Sequence, residues 1–319
     1  MKYFLIIIFI ITTSLHVISQ NDHKSGDGKP IIDMHMHTGL PHPVPPGAPA
    51  LCRPEPCKGD VGATVDPTEL LRKTMEMMDQ YNIVKGFVSG VDIDIVKEWK
   101  MADSARFIAS PFILQTGSPD PYTLRQAYES GYLGGLGEIG TQLTGLAPND
   151  PKLEPYFALA EEFDLPVLIH TLGIGPYMPG FRSANGNPLL LEEVLVRHPN
   201  LRLYVENAGF PYREEMIAMM YQYPQLYVDV STITWVIPRE AFYDYLKALI
   251  RAGLGKRIMF GSDQMVWPEK IGEAVESIRK APFLSEAQKR DILYNNAARF
   301  LRLEEAEDHS AEQRAQHQQ

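Results

Sequence analysis

From residue 30 onward, short runs of apolar and β-branched residues alternate with longer segments in which apolar positions recur every three or four residues. The short runs predict strands at 30–36, 83–89, 107–113, 133–139, 166–170, 201–205, 226–230 and 257–261. The longer segments predict helices at 67–81, 91–104, 120–130, 151–164, 188–198, 212–223, 239–253 and 268–280. A helix with one buried face has this apolar spacing. Continuous apolar runs are typical of parallel strands covered on both faces.

Eight strand–helix units over about 270 residues predict an α/β fold, a (β/α)8 TIM-like barrel. Helix starts support this reading, because Asp66-Pro67, Asp150-Pro151 and Asn187-Pro188 each place a capping side chain before a first-turn proline. The alternative is an open doubly wound sheet, but no G-x-G-x-x-G motif follows the first strand. A further helix over 285–303 is expected to end the domain, which we place at 30–303.

The two ends of the chain differ from this pattern. Lys2 precedes the unbroken apolar run 4–11, which is too short to span a bilayer, and small polar residues follow it. This arrangement predicts a signal peptide at 1–20 and a polar linker at 21–29. We therefore expect an exported protein, periplasmic or secreted, without a stable membrane anchor after cleavage. The segment 304–319 is a polar tail that we expect to be disordered.

Composition narrows the class of partner. Apolar residues make up 45% of the chain, which is enough for a packed core and excludes disorder throughout. The formal charge of −10 argues against nucleic acid, whose binding needs clustered basic residues. A small-molecule substrate is the expected partner, and association into a homo-oligomer is left open. Cys52 and Cys57 lie in a proline-rich loop, where export leaves a small disulfide ring and two free thiols as alternatives.

Ligand-type side chains stand at the ends of four predicted strands, where a barrel of this kind carries its active site. His35 and His37 end strand 1, and residues i and i+2 of a strand project to the same side. Glu138, His170 and Asp263 end strands 4, 5 and 8. A carboxylate buried among apolar residues is costly unless it is paired or binds a metal. These residues predict a divalent metal site that suits Zn²⁺, with Mn²⁺ or Fe²⁺ as alternatives.

The sequence resembles the amidohydrolase superfamily, in particular its amidohydrolase-related branch, which includes 2-amino-3-carboxymuconate semialdehyde decarboxylase-like enzymes. The matching segments are IIDMHMH, LPVLIHTLG, RIMFGSDQMVWP and NNAARFLRL. The resemblance implies that His35, His37 and His170 bind the metal. It further implies that Asp263 binds the metal and takes a proton from the attacking water. Glu138 is then either a ligand, with a second metal to bridge, or a hydrogen-bond acceptor that orients a histidine.

The chain departs from the family pattern at the end of strand 6, where members usually carry a histidine in H-x-G-x-P. Asn207 occupies that position, and its amide is a candidate hydrogen-bond donor to an oxyanion. His42, on the loop after strand 1, is the one other histidine placed to reach the barrel mouth. Glu206 offers a carboxylate, but adjacent strand residues point to opposite faces. We therefore expect one tightly held metal ion rather than two.

The loops after the strands supply candidate substrate contacts. Arg182 and Tyr177 lie in the long loop after strand 5. A guanidinium group suits a carboxylate through two hydrogen bonds, although a solvated surface arginine is an equal alternative. Trp235 and Trp267 follow strands 7 and 8. They are candidates to wall an apolar pocket, and the plainer alternative is packing against neighbouring loops.

Taken together, these features predict an exported metal-dependent hydrolase that attacks an amide, ester or lactone carbonyl with metal-activated water. A metal-dependent decarboxylase of a small unsaturated or aromatic acid is the first alternative, and the missing strand-6 histidine counts against it. That same loss motivates the second alternative, a non-catalytic binding protein on a degenerate barrel.

Overall fold

The computed structural model describes residues 28–40, 62–174 and 178–303. Several sequence predictions fall outside the described residues: the signal peptide, the linker up to residue 27, the tail, His42, Cys52, Cys57 and Tyr177. Within the described ranges, no helix is long and apolar enough to cross a membrane.

Parallel strands alternate with helices in the described ranges and form the predicted barrel. The strands are β1 (Ile31–His37), β2 (Ile83–Gly90), β3 (Phe107–Pro111), β4 (Leu136–Ile139), β5 (Pro166–Ile169), β6 (Arg202–Val205), β7 (Tyr227–Asp229) and β8 (Ile258–Met259). Ladders run β1-β2-β3 and β4-β5-β6-β7-β8, all parallel. A parallel bridge between Ile113 and Ile139 joins the two sheets on one side. On the other side the Met34 amide donates to the Phe260 carbonyl at 2.9 Å, which closes the circle.

The helices lie between the strands, close to the predicted positions. They are α1 (Pro67–Tyr81), α2 (Ile93–Ala102), α3 (Pro121–Glu129), α4 (Glu154–Glu162), α5 (Glu192–Arg197), α6 (Arg213–Gln222), α7 (Ile233–Val236), α8 (Arg239–Arg251), α9 (Lys270–Arg279), α10 (Glu286–Arg290) and α11 (Asn296–Phe300). The helix expected over 285–303 is interrupted by a π-helical turn at Asp291–Asn295. The carboxylate of Asp66 accepts from the Glu69 amide at the start of α1, as the sequence predicts for a cap.

Two apolar layers hold the strands in place. One lies inside the barrel, where Phe87 of β2 packs against Tyr204 of β6 with ring centroids 5.7 Å apart. The other lies between the strands and the surrounding helices. Because side chains alternate along a strand, residues two positions beyond an interior residue also face inward, toward the barrel mouth. His170 follows Leu168 in this way, and Glu206 follows Tyr204.

Candidate metal centre

Six buried side chains with metal-ligating atoms converge where the strands end. They are His35, His37, Glu138, His170, Glu206 and Asp263. Each is at most 5% exposed, so the cluster is shielded from bulk water. The ligand atoms form three overlapping groups, each with all of its atoms within 4.8 Å of one another. The fold therefore brings together the five residues that the sequence nominated, and it adds Glu206.

The tightest part of the cluster surrounds the two histidines of β1. The Nε2 atoms of His35 and His37 lie 3.0 Å apart. Oε2 of Glu138 is 3.2 Å from the first and 3.3 Å from the second. Oδ1 of Asp263 is 3.0 Å from Nε2 of His37, and Oδ2 accepts a hydrogen bond from the Thr232 hydroxyl. Each of the two carboxylates thus places an oxygen within 3.3 Å of at least one of the paired imidazole nitrogens.

The far nitrogen of each β1 histidine has a partner of its own. Nδ1 of His35 lies 3.0 Å from Oγ of Ser231 and 3.2 Å from Oδ2 of Asp229. Asp229 is fully buried and accepts from the backbone amide of Ser231 and from its hydroxyl, at 3.0 and 2.6 Å. Nδ1 of His37 is 3.1 Å from Oγ of Ser89. These contacts fix the two rings and leave both Nε2 atoms turned toward the cluster.

His170 is held by a glutamine that the sequence did not single out. Nδ1 of His170 lies 2.6 Å from Oε1 of Gln142. The Gln142 amide nitrogen donates to the carbonyls of Leu172 and Arg182 at 2.8 and 3.2 Å, so its orientation is set. The glutamine oxygen accepts only a proton-bearing Nδ1, which leaves Nε2 of His170 without a proton. Burial lowers the pKa of His170 and keeps the ring neutral.

The end of β6 differs from the sequence expectation. Glu206, not Asn207, lies near His170, with Oε2 of Glu206 3.8 Å from Nε2 of the histidine. The alternation that begins at Tyr204 was the sequence signal for this placement. Asn207 adopts a left-handed backbone (φ 54°) and donates from Nδ2 to Oε1 of Glu206 at 2.5 Å. Its side-chain oxygen accepts from the Ile233 amide at 3.1 Å. The role of Asn207 as an oxyanion donor stays a prediction.

The electrostatics of the cluster favour added positive charge. Burial lowers the pKa of His35, but the charges of Asp263 and neighbouring carboxylates outweigh it and raise that pKa well above its usual value. Burial and the charge of Glu138 raise the pKa of Glu206 well above its usual range. The carboxylates thus favour a positive charge beside them, and their mutual repulsion disfavours the ionised form of Glu206.

The donor set fits a divalent cation. Oδ1 of Asp263 and Oε2 of Glu206 are buried and accept no hydrogen bond. Ligand atoms 3.0–3.3 Å apart have the spacing of donors around one ion with bonds of about 2.0–2.2 Å. Among the described residues, the contacts given above for the six cluster members include no lysine or arginine that would balance the carboxylates. The buried histidines and carboxylates therefore form a metal-binding site.

A cavity of about 680 Å³ opens beside His37. Its described lining is mostly aliphatic and aromatic, including Leu40, Val91, Ile93 and Phe112. Asp92 is the only charged side chain among these lining residues apart from the histidine. Cavities of this size hold small molecules, and an apolar lining favours an uncharged group.

The predicted substrate contacts have other partners in the structure. Trp235 and Trp267 are buried and pack on each other with centroids 6.3 Å apart, and Nε1 of Trp235 donates to the Ser262 carbonyl. Arg182 is exposed and donates to backbone carbonyls of its own loop, including that of Pro179 at 3.0 Å. Their contact with a substrate stays a prediction.

Comparison with known proteins identifies a family whose model covers most of the chain. The family model described as "Amidohydrolase" matches residues 32–303. A curated relative, protein fluG of Emericella nidulans, is 23% identical over 155 residues, which cover 44% of this chain. The chain spans only 18% of the length of that relative.

Three solved structures share the fold at low sequence identity. An uncharacterized TIM-barrel protein from Bordetella bronchiseptica is 19% identical with a TM-score of 0.60, over 86% of this chain and 98% of that one. A probable 2-pyrone-4,6-dicarboxylic acid hydrolase from Acinetobacter baumannii, with citric acid bound, is 13% identical with a TM-score of 0.56, over 85% and 98%. The 5-carboxyvanillate decarboxylase of Novosphingobium aromaticivorans, complexed with manganese and a nitrobenzoic acid, is 17% identical with a TM-score of 0.53, over 74% and 83%.

Proposed function

The chain belongs to the amidohydrolase family, and we propose that within it this protein is a metal-dependent hydrolase of an amide, ester or lactone. The observation that carries the proposal is the setting of Asp263. Oδ1 of this carboxylate accepts no hydrogen bond and lies 3.0 Å from Nε2 of His37, while Thr232 holds Oδ2. A buried carboxylate with one oxygen fixed and the other open is suited to take a proton beside the metal ligands.

The protein's own residues would divide the work as follows. His35, His37, His170, Glu138 and Asp263 are the proposed ligands of the cation, with Zn²⁺ the expected ion for this mixed set. When bound, the cation supplies Lewis acidity, which polarises a carbonyl and lowers the pKa of water. Asp263 accepts the proton at Oδ1, and the hydrogen bond from Thr232 keeps that oxygen aimed at the cluster.

The cavity beside His37 supports an uncharged substrate. Its described lining is apolar apart from Thr38, Asp92 and His37, and it includes no lysine or arginine to bind a carboxylate. The carboxylate of Asp92 already accepts from the amide of Asp94 at the start of α2, and it would repel an anion. We therefore propose that an aliphatic or aromatic acyl group occupies this cavity while the carbonyl lies against the cluster.

Decarboxylation of an unsaturated or aromatic acid is the second candidate. It is favoured by the similarity in fold to 5-carboxyvanillate decarboxylase, whose structure holds manganese and an aromatic acid. Manganese is accordingly the second candidate ion.

Isotope labelling separates the two reactions. The purified holoprotein would be incubated in ¹⁸O-water with uncharged acyl amides, esters and lactones and, separately, with aromatic and unsaturated acids. The proposal expects one labelled oxygen in the product acid, loss of turnover on chelation and recovery with Zn²⁺. Release of CO₂ without labelled product would establish the decarboxylase instead. A protein that binds no metal, shows no metal-dependent thermal shift and turns over none of these compounds would be the non-catalytic binding protein on a degenerate barrel.

Export is a separate proposal, which rests on the apolar run 4–11 behind Lys2. Expression of the full chain in a bacterial host should yield a periplasmic or secreted product that begins near residue 21. N-terminal sequencing checks this, and an intact Met1 on the exported product would contradict cleavage.

A further inference from the structure

We propose that Phe112 determines which acyl groups the cavity beside His37 accepts, by excluding acyl chains that carry a branch on the carbon next to the carbonyl. This inference rests on the proposed function and narrows its substrate class to acyl compounds that are unbranched at that carbon. Phe112 acts here as a specificity-determining residue, because it shapes the space around the substrate and takes no part in the chemistry.

The cavity is closed at the cluster and open at its far side. His37 and Phe112, which line it, are 3% and 1% exposed, whereas the lining residues Val65 and Val91 are 65% and 48% exposed. An acyl group whose carbonyl lies against the cluster therefore has its first carbons at the closed end. The rest of the chain extends toward the apolar rim, where the cavity sets no sharp limit on its length.

The ring of Phe112 forms the wall of the closed end. Its centroid lies 5.8 Å from that of His37, and the two ring planes are tilted by 46°. Because this ring lines the cavity and contacts a proposed ligand, the carbon attached to the reacting carbonyl lies against it. The space beside the ring therefore decides whether that carbon can carry a branch.

Gly140 supports the ring from behind. The described lining of the cavity does not include Gly140. A Cβ atom at this position would nevertheless lie 2.5 Å from Cζ and 2.6 Å from Cε1 of Phe112. The ring thus rests directly on the glycine backbone, and it has no room to move back from the cavity when a bulkier group enters.

Backbone hydrogen bonds fix the spacing between the ring and the glycine. The Phe112 amide donates to the Gly90 carbonyl at 2.8 Å. The Ile113 amide donates to the Glu138 carbonyl at 2.8 Å, and the Gly140 amide donates to the Ile113 carbonyl at 3.0 Å. These bonds hold the segment after β3 against β4, so the wall is rigid. A rigid, close-packed wall rejects a poorly fitting shape because its neighbours relax only in part.

Two substitutions should change this wall in opposite directions. Phe112→Leu removes the ring and opens space beside the carbonyl. Gly140→Ala adds a methyl group behind the ring and should push it into the cavity, since the negative φ of Gly140 (−97°) is one that alanine tolerates. If Gly140→Ala acts through the ring, the double variant with Phe112→Leu should lose its effect. The matched control is Phe157→Leu in α4, at a buried phenylalanine outside the described lining.

Binding of two isomeric ketones tests the proposal without turnover. 2-Octanone and 3-methyl-2-heptanone both present an uncharged carbonyl, and they differ in a branch on the carbon next to it. Ligand-observed NMR titration of the Zn²⁺-loaded protein measures both affinities. The wild type should bind the straight isomer about 10- to 200-fold more tightly, the range by which an apolar pocket discriminates one methylene group. This preference should be lost in Phe112→Leu and in the double variant, rise in Gly140→Ala and stay unchanged in Phe157→Leu.

Hydrolysis provides the second readout. The ratio of kcat/KM for 4-nitrophenyl octanoate to that for 4-nitrophenyl 2-methylheptanoate should follow the same order across the variants. Circular dichroism checks that each variant is folded. Elemental analysis should give the metal content of the wild type in every variant, which shows that the neighbouring His37 is undisturbed. If Phe112→Leu does not fold, Gly140→Ala alone decides, because its preference for the straight isomer must exceed that of the wild type.

Each outcome decides the question. Equal binding of the two ketones by the wild type, or a preference that the folded Phe112→Leu and Gly140→Ala variants leave unchanged, overturns the role of Phe112 while hydrolysis of the esters keeps the proposed hydrolase. Discrimination between the ketones without hydrolysis of any acyl compound keeps the role of Phe112 and overturns the hydrolase. A folded, metal-loaded wild type that binds neither ketone and hydrolyses neither ester overturns both.

Discussion

Oε1 of Gln142 lies 2.6 Å from Nδ1 of His170. The amide nitrogen of Gln142 donates to two backbone carbonyls, so a rotation of the amide that placed the nitrogen against His170 would break both of those hydrogen bonds. The glutamine therefore selects the tautomer of His170 and turns Nε2 toward Glu206 and Glu138. This contact joins the loop after β4 to the end of β5, and it gives the histidine the form that binds metal.

Replacing Gln142 with Leu should weaken metal binding about 10- to 100-fold, because Nδ1 of His170 loses its acceptor and the ring its orientation. Isothermal titration of the apoprotein with Zn²⁺ measures the change. Gln126→Leu, at an exposed glutamine of α3, serves as the control and should bind like the wild type. Unchanged Zn²⁺ affinity in Gln142→Leu would show that the contact does not set the orientation and tautomer of His170 for metal binding.

Asp229→Asn should also weaken metal binding, about 10- to 100-fold. Asparagine retains an oxygen for the backbone amides of Asn207 and Ser231. It replaces the charged oxygen that lies 3.2 Å from Nδ1 of His35 with an amide nitrogen, which favours a proton on the wrong ring nitrogen. Chelator competition measures the affinity, and the pH at which metal is half released should shift. Binding equal to the wild type in both measurements would leave Asp229 a purely structural residue.

Asp263→Asn should reduce kcat about 10²- to 10⁴-fold, the range expected when a group that takes the proton is lost. The neutral amide keeps the size of the side chain, so the thermal transition should remain cooperative. Steady-state kinetics on the substrate identified by isotope labelling give the value. Asp244→Asn, on the exposed face of α8, is the matched control. A fully active Asp263→Asn enzyme would remove Asp263 from the mechanism.

The contact between Glu161 and His198, which lies outside the cluster, should make the free energy of unfolding depend on pH in the acid range. Burial raises the pKa of Glu161, but hydrogen bonds from His198 and the Asn200 amide outweigh it and hold that pKa below its usual value. A lowered folded-state pKa means that the contribution is complete above the unfolded value and is lost as pH falls through the folded one.

Glu161→Gln should therefore lower the free energy of unfolding at pH 7 by about 1–2 kcal/mol. The difference from the wild type should shrink below about pH 4, where the carboxyl group of the unfolded chain takes up its proton. Urea denaturation at several pH values provides the measurement. Glu98→Gln, at an exposed position of α2, is the control. A difference that does not change with pH would assign the effect to packing instead of charge.

Much of the fold was predictable because buried strands and helices produce characteristic apolar patterns in the local sequence. The strand pattern located all eight strands to within three residues at either end, and the shortest of them is β8, Ile258–Met259. Beyond it, the Phe260 amide donates to the Ile292 carbonyl of the closing helix, a partner that no local pattern indicates. The five residues that the sequence nominated as ligands could be picked out because each lies at or shortly after the end of a predicted buried strand, and their role as ligands stays a prediction.

The sequence by itself determined the alternation of strands and helices, the membership in the family and the meeting of His35 and His37 with Asp263, since strand ends of a barrel converge whatever their loops do. Only the tertiary structure decided the partners of those residues. Ser89, Gln142, Asp229 and Thr232 come from strand ends and loops far apart in the chain, and their contacts depend on how strands stagger and loops fold back. Glu206 lies between these cases. The side chain of Glu206 points inward because side chains alternate along the strand after Tyr204. Its Oε2 faces the cluster because Asn207 donates a hydrogen bond to Oε1, and only the tertiary contact between the Ile233 amide and Asn207 sets that hydrogen bond.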